Sequence, residues 1–459
     1  MNRSILLTCI LLFAFCSYSI AAGKEGQGEL NGKGQGTGIV LPIVKRDSLL
    51  NGLQLIVIEQ KGTGSVSAGL RINSGALFDL AGKGGLADLT AAMLLRGGGG
   101  WNAAAIADTI EGTGLTVDIN VSWDSTDIVL RGPSDSLDTM FDLLSRLLVT
   151  PKFDQKELEA LKSARLAALK EEEKKDDQIV RRKALESVFG THPFGRLAGG
   201  DADSISRIKH ADLIYYHGRF YLANNAELVV TGDVTAEEVT RLGRSQLGAW
   251  KKGEKVPATF RPPTPPDAVR SIILDRPGSE QAYAMLAQIG ISRRTEDYFP
   301  AIVMCEIFSR MNSQIASATI KTRIDPRLLP GPLLVEIESS ADALSGAVEA
   351  ITAAMTELQM RPPALDRLEA AKLHIIALFQ EQLRTSEGAG NAILDVELYG
   401  LGRDYLINFV NRVNAVTPSD IQKAAKGYLK PQSLVVVVAG PSTKLEGSLK
   451  KNGSVTVMP

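Results

Sequence analysis

Asp212-Leu-Ile-Tyr-Tyr-His-Gly-Arg-Phe-Tyr221 and, shortly after it, Ala226-Glu-Leu-Val-Val-Thr-Gly-Asp233 read as a helix followed by a buried strand that ends at glycine. The same order returns as Asp420-Ile-Gln-Lys-Ala-Ala-Lys-Gly-Tyr428 and Ser433-Leu-Val-Val-Val-Val-Ala-Gly440. Upstream, Pro151-Lys-Phe-Asp-Gln-Lys-Glu-Leu-Glu-Ala-Leu-Lys162 has its counterpart in Pro363-Ala-Leu-Asp-Arg-Leu-Glu-Ala-Ala-Lys372, each a proline leading into a helix-period segment. The matched positions keep an almost constant offset of about 210 residues, the signature of an internal duplication.

Within the first copy, Gln54 to Ile58 and Val66 to Ile72 alternate or are β-branched, as strands are. Thr116 to Val121 and Thr126 to Arg131 form a second strand pair around Trp123-Asp124-Ser125. Ser134-Asp135 and Thr150-Pro151 carry helix-start signals. Strands at the ends of each copy with helices between predict an α+β fold: two duplicated lobes, each an antiparallel-rich sheet packed against long helices.

Composition sets the boundaries. Residues 1–22 have a short basic start, an apolar run from Ile5 to Phe15 and small residues at Ser19-Ile20-Ala21-Ala22, which reads as a cleaved signal peptide. Residues 23–38 are Gly-, Lys- and Glu-rich and predict a flexible leader. The N-terminal lobe is then 39–250, a Pro-rich linker 251–267, and the C-terminal lobe 268–459. The rival reading is lipoprotein attachment at Cys16, which the bulky Phe15 before it disfavours; the expected location is periplasmic or secreted, with no transmembrane segment in the mature chain. Cys305 is the one cysteine of the mature chain, set in an apolar stretch, and is expected to be a buried, inert thiol. A net charge of −1 argues against a nucleic-acid partner.

Several landmarks, in order along the chain, carry a resemblance. They are Asn51-Gly-Leu-Gln-Leu-Ile-Val-Ile58, Gly82-Lys-Gly-Gly-Leu-Ala87 leading to Met93-Leu-Leu-Arg-Gly-Gly98, and Phe189-Gly-Thr-His-Pro-Phe-Gly-Arg196. Leu228-Val-Val-Thr-Gly-Asp-Val234 and Asp275-Arg-Pro-Gly-Ser-Glu-Gln281 follow. Together they resemble the pitrilysin/insulinase-type zinc peptidases, in the processing-peptidase-like branch.

The resemblance implies where chemistry should lie. Active members carry H-x-x-E-H on the helix after the Gly-Leu-Ala turn: two His one helical turn apart grip zinc, and the Glu activates its water. In that register this chain reads Asp88, Ala91 and Ala92, with Ala167 where the later carboxylate should fall. Glu171, Glu172 and Glu173 lie close by, and a shift of one turn could bring one inward. Such a set has no imidazole and no base, so the expectation is no catalytic residue, no metal and no cofactor. The histidines His192, His210, His217 and His374 form no ligand pair. The family's second element, an Arg-Tyr pair after a helix like Phe308-Ser309-Arg310-Met311-Asn312, looks shortened or absent; Lys321 or Arg323 could supply charge, but no Tyr lies nearby. Gly97 to Gly100 fits a flexible hinge rather than a phosphate cradle, and the charge run Lys170 to Asp177 a solvated helix face.

The resemblance further implies that Leu115, Thr116, Val117, Asp118 and Ile119 form an edge strand able to pair with an extended peptide. It also implies pairing of two-lobed halves into a clamshell, with a zinc-bearing paralogous subunit or a second copy. The expected function is a catalytically inactive subunit of a periplasmic insulinase-type metallopeptidase assembly, a heterodimer with its active mate. The alternatives are a stand-alone zinc metalloendopeptidase with an atypical site, or a structural envelope protein.

Overall fold

The structure is a computed structural model that describes residues 43–255, 260–451 and 453–459. The signal-peptide and leader readings lie outside those residues. In chain order the first lobe runs β1 (Val44–Ser48), β2 (Gln54–Glu59), β3 (Ser65–Ile72), α1 (Leu86–Leu94), the short pair β4 (Gly97–Gly98) and β5 (Trp101–Asn102), and α2 (Ala103–Gly112). It continues through β6 (Thr116–Val121), β7 (Thr126–Pro133), α3 (Leu137–Leu148), α4 (Gln155–Glu172) and α5 (Asp176–Phe189). It closes with α6 (Ala202–Arg207), α7 (His210–Phe220), β8 (Ala226–Gly232) and α8 (Ala236–Leu242).

The second lobe repeats the plan. It has β9 (Arg270–Asp275), β10 (Gln281–Ile289), α9 (Tyr298–Ser313), β11 (Ala318–Ile324), β12 (Pro332–Ser340), α10 (Ala341–Met360) and α11 (Leu365–Arg384). Then come α12 (Ser386–Tyr399), α13 (Tyr405–Asn414), α14 (Pro418–Tyr428), β13 (Val435–Gly440), α15 (Ser442–Leu449) and β14 (Ser454–Met458).

The two six-stranded sheets, β1-β2-β8-β3-β7-β6 and β14-β9-β13-β10-β12-β11, match strand for strand. In each, a parallel pair (β2 with β8, β9 with β13) sits beside an antiparallel array. The α+β expectation and the antiparallel-rich sheets hold. One edge departs from the duplication: β1 is antiparallel to β2, whereas β14 arrives from the chain's end and runs parallel to β9.

The cores explain why the lobes stay together. Alternate residues of a strand face opposite sides of a sheet. Leu55, Val57, Leu228 and Val230 point into one core with the first lobe's helices, while Ile56, Ile58 and Val229 point into the other. That second face is covered by α12, a helix of the other lobe. The exchange is reciprocal: Met285, Ala287, Val435 and Val437 of the second sheet share a core with Val180, Ala184 and Val188 of α5. Each lobe thus lends one helix to the other's sheet, and each fully buried aliphatic side chain contributes about 1.5–3 kcal/mol.

Two local expectations are corrected. The helix signalled at Thr150-Pro151 begins at Gln155, because the Asp154 carboxylate accepts from Lys156 N at 2.9 Å and caps it; Pro151 instead bridges to Gly98. The glycine run is a tight hairpin rather than a hinge. Gly99 and Gly100 both have positive φ, as a two-residue hairpin turn requires. Arg146 stacks over Trp101 at 4.0 Å and donates to Gly99 O at 2.6 Å, locking the turn. Cys305 is buried in α9, which pushes its thiol up to about 12, an inert state.

Candidate functional site

Helix α1 is built from its N-terminus. Gly85 has φ +88°, and a Cβ there would lie 2.6 Å from Gly199 O, so only glycine permits the turn. The Asp79 carboxylate accepts from Gly85 N at 2.8 Å and Ala87 N at 2.7 Å, and pairs with Arg196 at 3.0 Å. Burial pushes Asp79 up to about 6, opposed by Arg196 and the two amides. The helix that should carry the chemistry is therefore firmly anchored, and what it presents is set by side chains alone.

Asp88 and Ala92 are half-buried and Ala91 is buried, one turn of α1 packed toward α4. On α4 the structure separates residues that sequence spacing grouped together. Ala167 is exposed, whereas Arg165, buried Leu169 and Glu172 fall on one row of the helix. The Arg165 Nη1 donates to Glu172 Oε1 at 3.2 Å, its Nη2 lies against Gly199, and its Nε is buried without a partner among the described residues. Burial pushes the Asp88 carboxyl above its ordinary value, and the Arg165 cation opposes that rise. Glu171 pairs with Lys174 at 2.7 Å and Glu173 with Arg182 at 2.8 Å, so both are turned to other cations.

This donor set does not fit a catalytic zinc. The site offers the Asp88 carboxylate, two alanines and a guanidinium whose charge repels a dication, where three ligands and an open position are needed. Among the described residues no group of three His, Cys, Asp or Glu side chains could hold a metal ion. The histidines stand apart from one another. His192 Nδ1 accepts from Phe194 N at 3.1 Å, and its Nε2 lies 3.2 Å from Arg261 O. His217 stacks on Tyr221 with ring centroids 4.9 Å apart, and burial lowers it to about 4. His210 bonds to Phe153 O, and His374 is half-exposed beside Glu306.

Thr116 to Ile119 belong to β6, the outermost strand of the first sheet, and Leu115 is buried just before it. Thr116 and Asp118 are exposed, while Val117 and Ile119 are half-buried against the core. Among the described residues no strand pairs with the outer side of β6, and α1 packs beside it. Asp118 pairs with Arg131 on β7, which in turn forks onto Glu387 of α12 at 2.6 and 2.5 Å. In the second lobe, α9 passes to β11 within four residues, Gln314 to Ser317; Lys321 and Arg323 are exposed on β11, and Arg323 lies 3.6 Å from Glu336.

Sequence reasoning missed Arg165 and Asp79. The signal for Arg165 was a basic residue a half-turn before an expected carboxylate. Asp79 had none, since its role depends on the fold bringing it to the start of α1.

Comparison with known proteins agrees with this geometry. A family model described as "Insulinase (Peptidase family M16)" matches residues 55–200, and one described as "Peptidase M16 inactive domain" matches residues 207–372. A "Non-peptidase homolog YmxG" of Helicobacter pylori is 24% identical over 214 residues, 47% of this chain and 47% of that protein. The match therefore spans about half the length of that curated relative. The crystal structure of a peptidase M16 inactive domain from Pseudomonas fluorescens has a TM-score of 0.76 at 24% identity, covering 87% of this chain and 98% of that one. The first half of the periplasmic protease PqqL from Escherichia coli has a TM-score of 0.69 at 17% identity, covering 91% of this chain and 95% of that one. At these identities the solved structures speak for the fold alone. The chain belongs to the M16 insulinase family, as a non-catalytic member that lacks H-x-x-E-H.

Proposed function

We propose that this protein is the metal-free subunit of a periplasmic, two-component M16 assembly, where it helps enclose extended peptides beside a zinc-bearing mate. The observation that carries this reading is that α1 presents Asp88, Ala91 and Ala92 toward α4, where Arg165 bonds Glu172 and its cation acts on Asp88, while the nearby β6 edge stays open. An open edge strand binds by main-chain hydrogen bonds and needs no metal. Residues Leu115, Thr116, Val117, Asp118 and Ile119 form that binding edge in this proposal. A periplasmic setting is supported by the signal-like N-terminus and by the likeness to a half of a periplasmic protease. The stand-alone metallopeptidase reading is disfavoured by Ala91 and Ala92, which offer neither base nor ligand, and by Arg165, whose cation acts on Asp88 and bonds Glu172.

Two experiments test it. Extended peptides should bind the isolated chain in fluorescence anisotropy. Methylating alternate peptide nitrogens in one phase should weaken binding about tenfold, and in the other phase hardly at all. Equal effects in both phases would refute strand pairing. Affinity capture from periplasmic extract should recover a chain carrying H-x-x-E-H; recovery of the bait alone, monomeric by ultracentrifugation, would refute the two-component assembly.

A further inference from the structure

The second lobe holds a groove of about 760 Å³ between the start of α9, the end of α12 and the helices α13 and α14. It lies in the other lobe from α1 and β6, and its chemistry is separate from theirs. Three guanidiniums line it, Arg293, Arg294 and Arg412, and none is in an ion pair among the described residues. Arg293 lies 4.0 Å over the Tyr298 ring and 5.0 Å from that of Tyr405, and donates to the Tyr405 hydroxyl at 2.7 Å. Aromatic faces stabilise a cation without neutralising it, so the floor of the groove keeps its positive charge. Arg294 donates Nε to Tyr399 O at 2.9 Å and Nη2 to Leu398 O at 3.1 Å, which ties it to the end of α12 and leaves further donors. Arg412 is exposed at the rim, 5.6 Å from the Tyr405 ring.

We infer that this groove binds a small monoanionic carboxylate attached to an aromatic or aliphatic body. The guanidinium fork matches a carboxylate in geometry. Phe299, Pro300, Leu401 and Val416 give the body an apolar wall. Two carboxylates also line the groove, Glu296 and Asp420, and Asp420 is engaged by the amide and hydroxyl of Thr417 at 3.0 and 2.7 Å. Asp395 also acts on Arg293 but is itself paired with Arg71, so the three guanidiniums against the two lining carboxylates leave about one net positive charge, which suits a monoanion and disfavours a phosphate dianion. The carboxylate can be that of a free organic acid or of a peptide C-terminus.

The test is calorimetric titration of the mature chain with benzoate, benzamide, and an N-acetylated dipeptide ending in phenylalanine as free acid and as amide. Benzoate should bind and benzamide should not. Binding of the dipeptide acid as well would assign the site to chain ends, and benzoate alone to free acids; either supports the inference. Arg412→Met should weaken benzoate about tenfold, with Arg412→Lys between it and the parent, and added salt should weaken the parent. An unchanged melting temperature in both variants separates lost recognition from lost folding. Equal binding of benzamide, no binding of either carboxylate, or parental affinity in Arg412→Met would overturn the inference.

Discussion

The two lobes share one plan and join through two symmetry-related helices, but the two junctions are chemically unlike. Helix α5 crosses to the second sheet mainly through apolar residues, with one ion pair, Asp176 to Arg276 at 2.9 Å, at its start. Helix α12 crosses to the first sheet over buried residues such as Ile393 and Leu394, but it also carries a row of acids. Asp395 takes Arg71 at 2.5 Å, Glu387 takes Arg131, and Glu397 takes Arg46. The sheet with the open β6 edge is thus the one held ionically by the other lobe. A duplicated framework can keep its apolar plan while its charged contacts diverge, and here the divergence lies at the α12 junction.

The largest expected effect comes from the apolar crossing. Val180→Asp places an unpaired carboxylate in the core shared by α5 and the second sheet. It should cost about 3–5 kcal/mol in chemical denaturation, or prevent folding. A cost below about 1 kcal/mol would mean α5 is not a structural tie.

Next comes the ionic crossing. Arg71 is buried between Asp127 and Asp395. Arg71→Met strands both carboxylates and should cost about 3 kcal/mol, since Asp395 keeps some water. Arg276→Met, its counterpart at the α5 junction, removes a partly exposed pair and should cost less than about 1 kcal/mol. Equal losses would erase the proposed difference between the junctions.

A smaller effect is a pH dependence at the first sheet. Burial raises Glu227 to about 7, only partly offset by Asn73. A raised carboxyl binds its proton more tightly in the folded state. Its stabilising contribution is therefore complete below the ordinary value of 4.5 and is lost as pH rises through about 7. Glu227→Gln should then be more stable than the parent by about 1–2 kcal/mol at pH 8 and nearly equal to it at pH 4.5, measured as unfolding midpoints.

Much of this was legible from periodicity and repetition. Leu228 to Val230 and Val435 to Val438 are continuous apolar runs, as central strands buried on both faces give. The site was legible as a loss, because Asp88, Ala91 and Ala92 stand on a helix whose start, Gly85 to Leu86, is marked by glycine. The replacement was not legible. Arg165 acts through the α1–α4 packing, and a basic residue on a polar helix looks like any solvated charge. Gly97 to Gly100 misled for a related reason: four glycines read as freedom, while Arg146 and Pro151, distant in sequence, close on them. The exchange of α5 and α12 is a long-range fact that no local pattern encodes.

Arg165 also gives a constructive test. Asp88→His, Ala91→Glu and Ala92→His together, with Glu172 left in place, should bind zinc poorly while Arg165 remains. Adding Arg165→Ala should tighten zinc binding by about tenfold or more in competition with a chromophoric chelator. Equal affinity with and without Arg165 would show that the guanidinium does not exclude the metal.

The most direct measurement is the zinc content of the purified, signal-free parent chain, by elemental mass spectrometry after dialysis. With Arg165 bonded to Glu172 and its cation acting on Asp88, bound zinc should be far below one atom per chain and unchanged by prior treatment with a chelator. About one zinc per chain, removed by the chelator, would contradict the account.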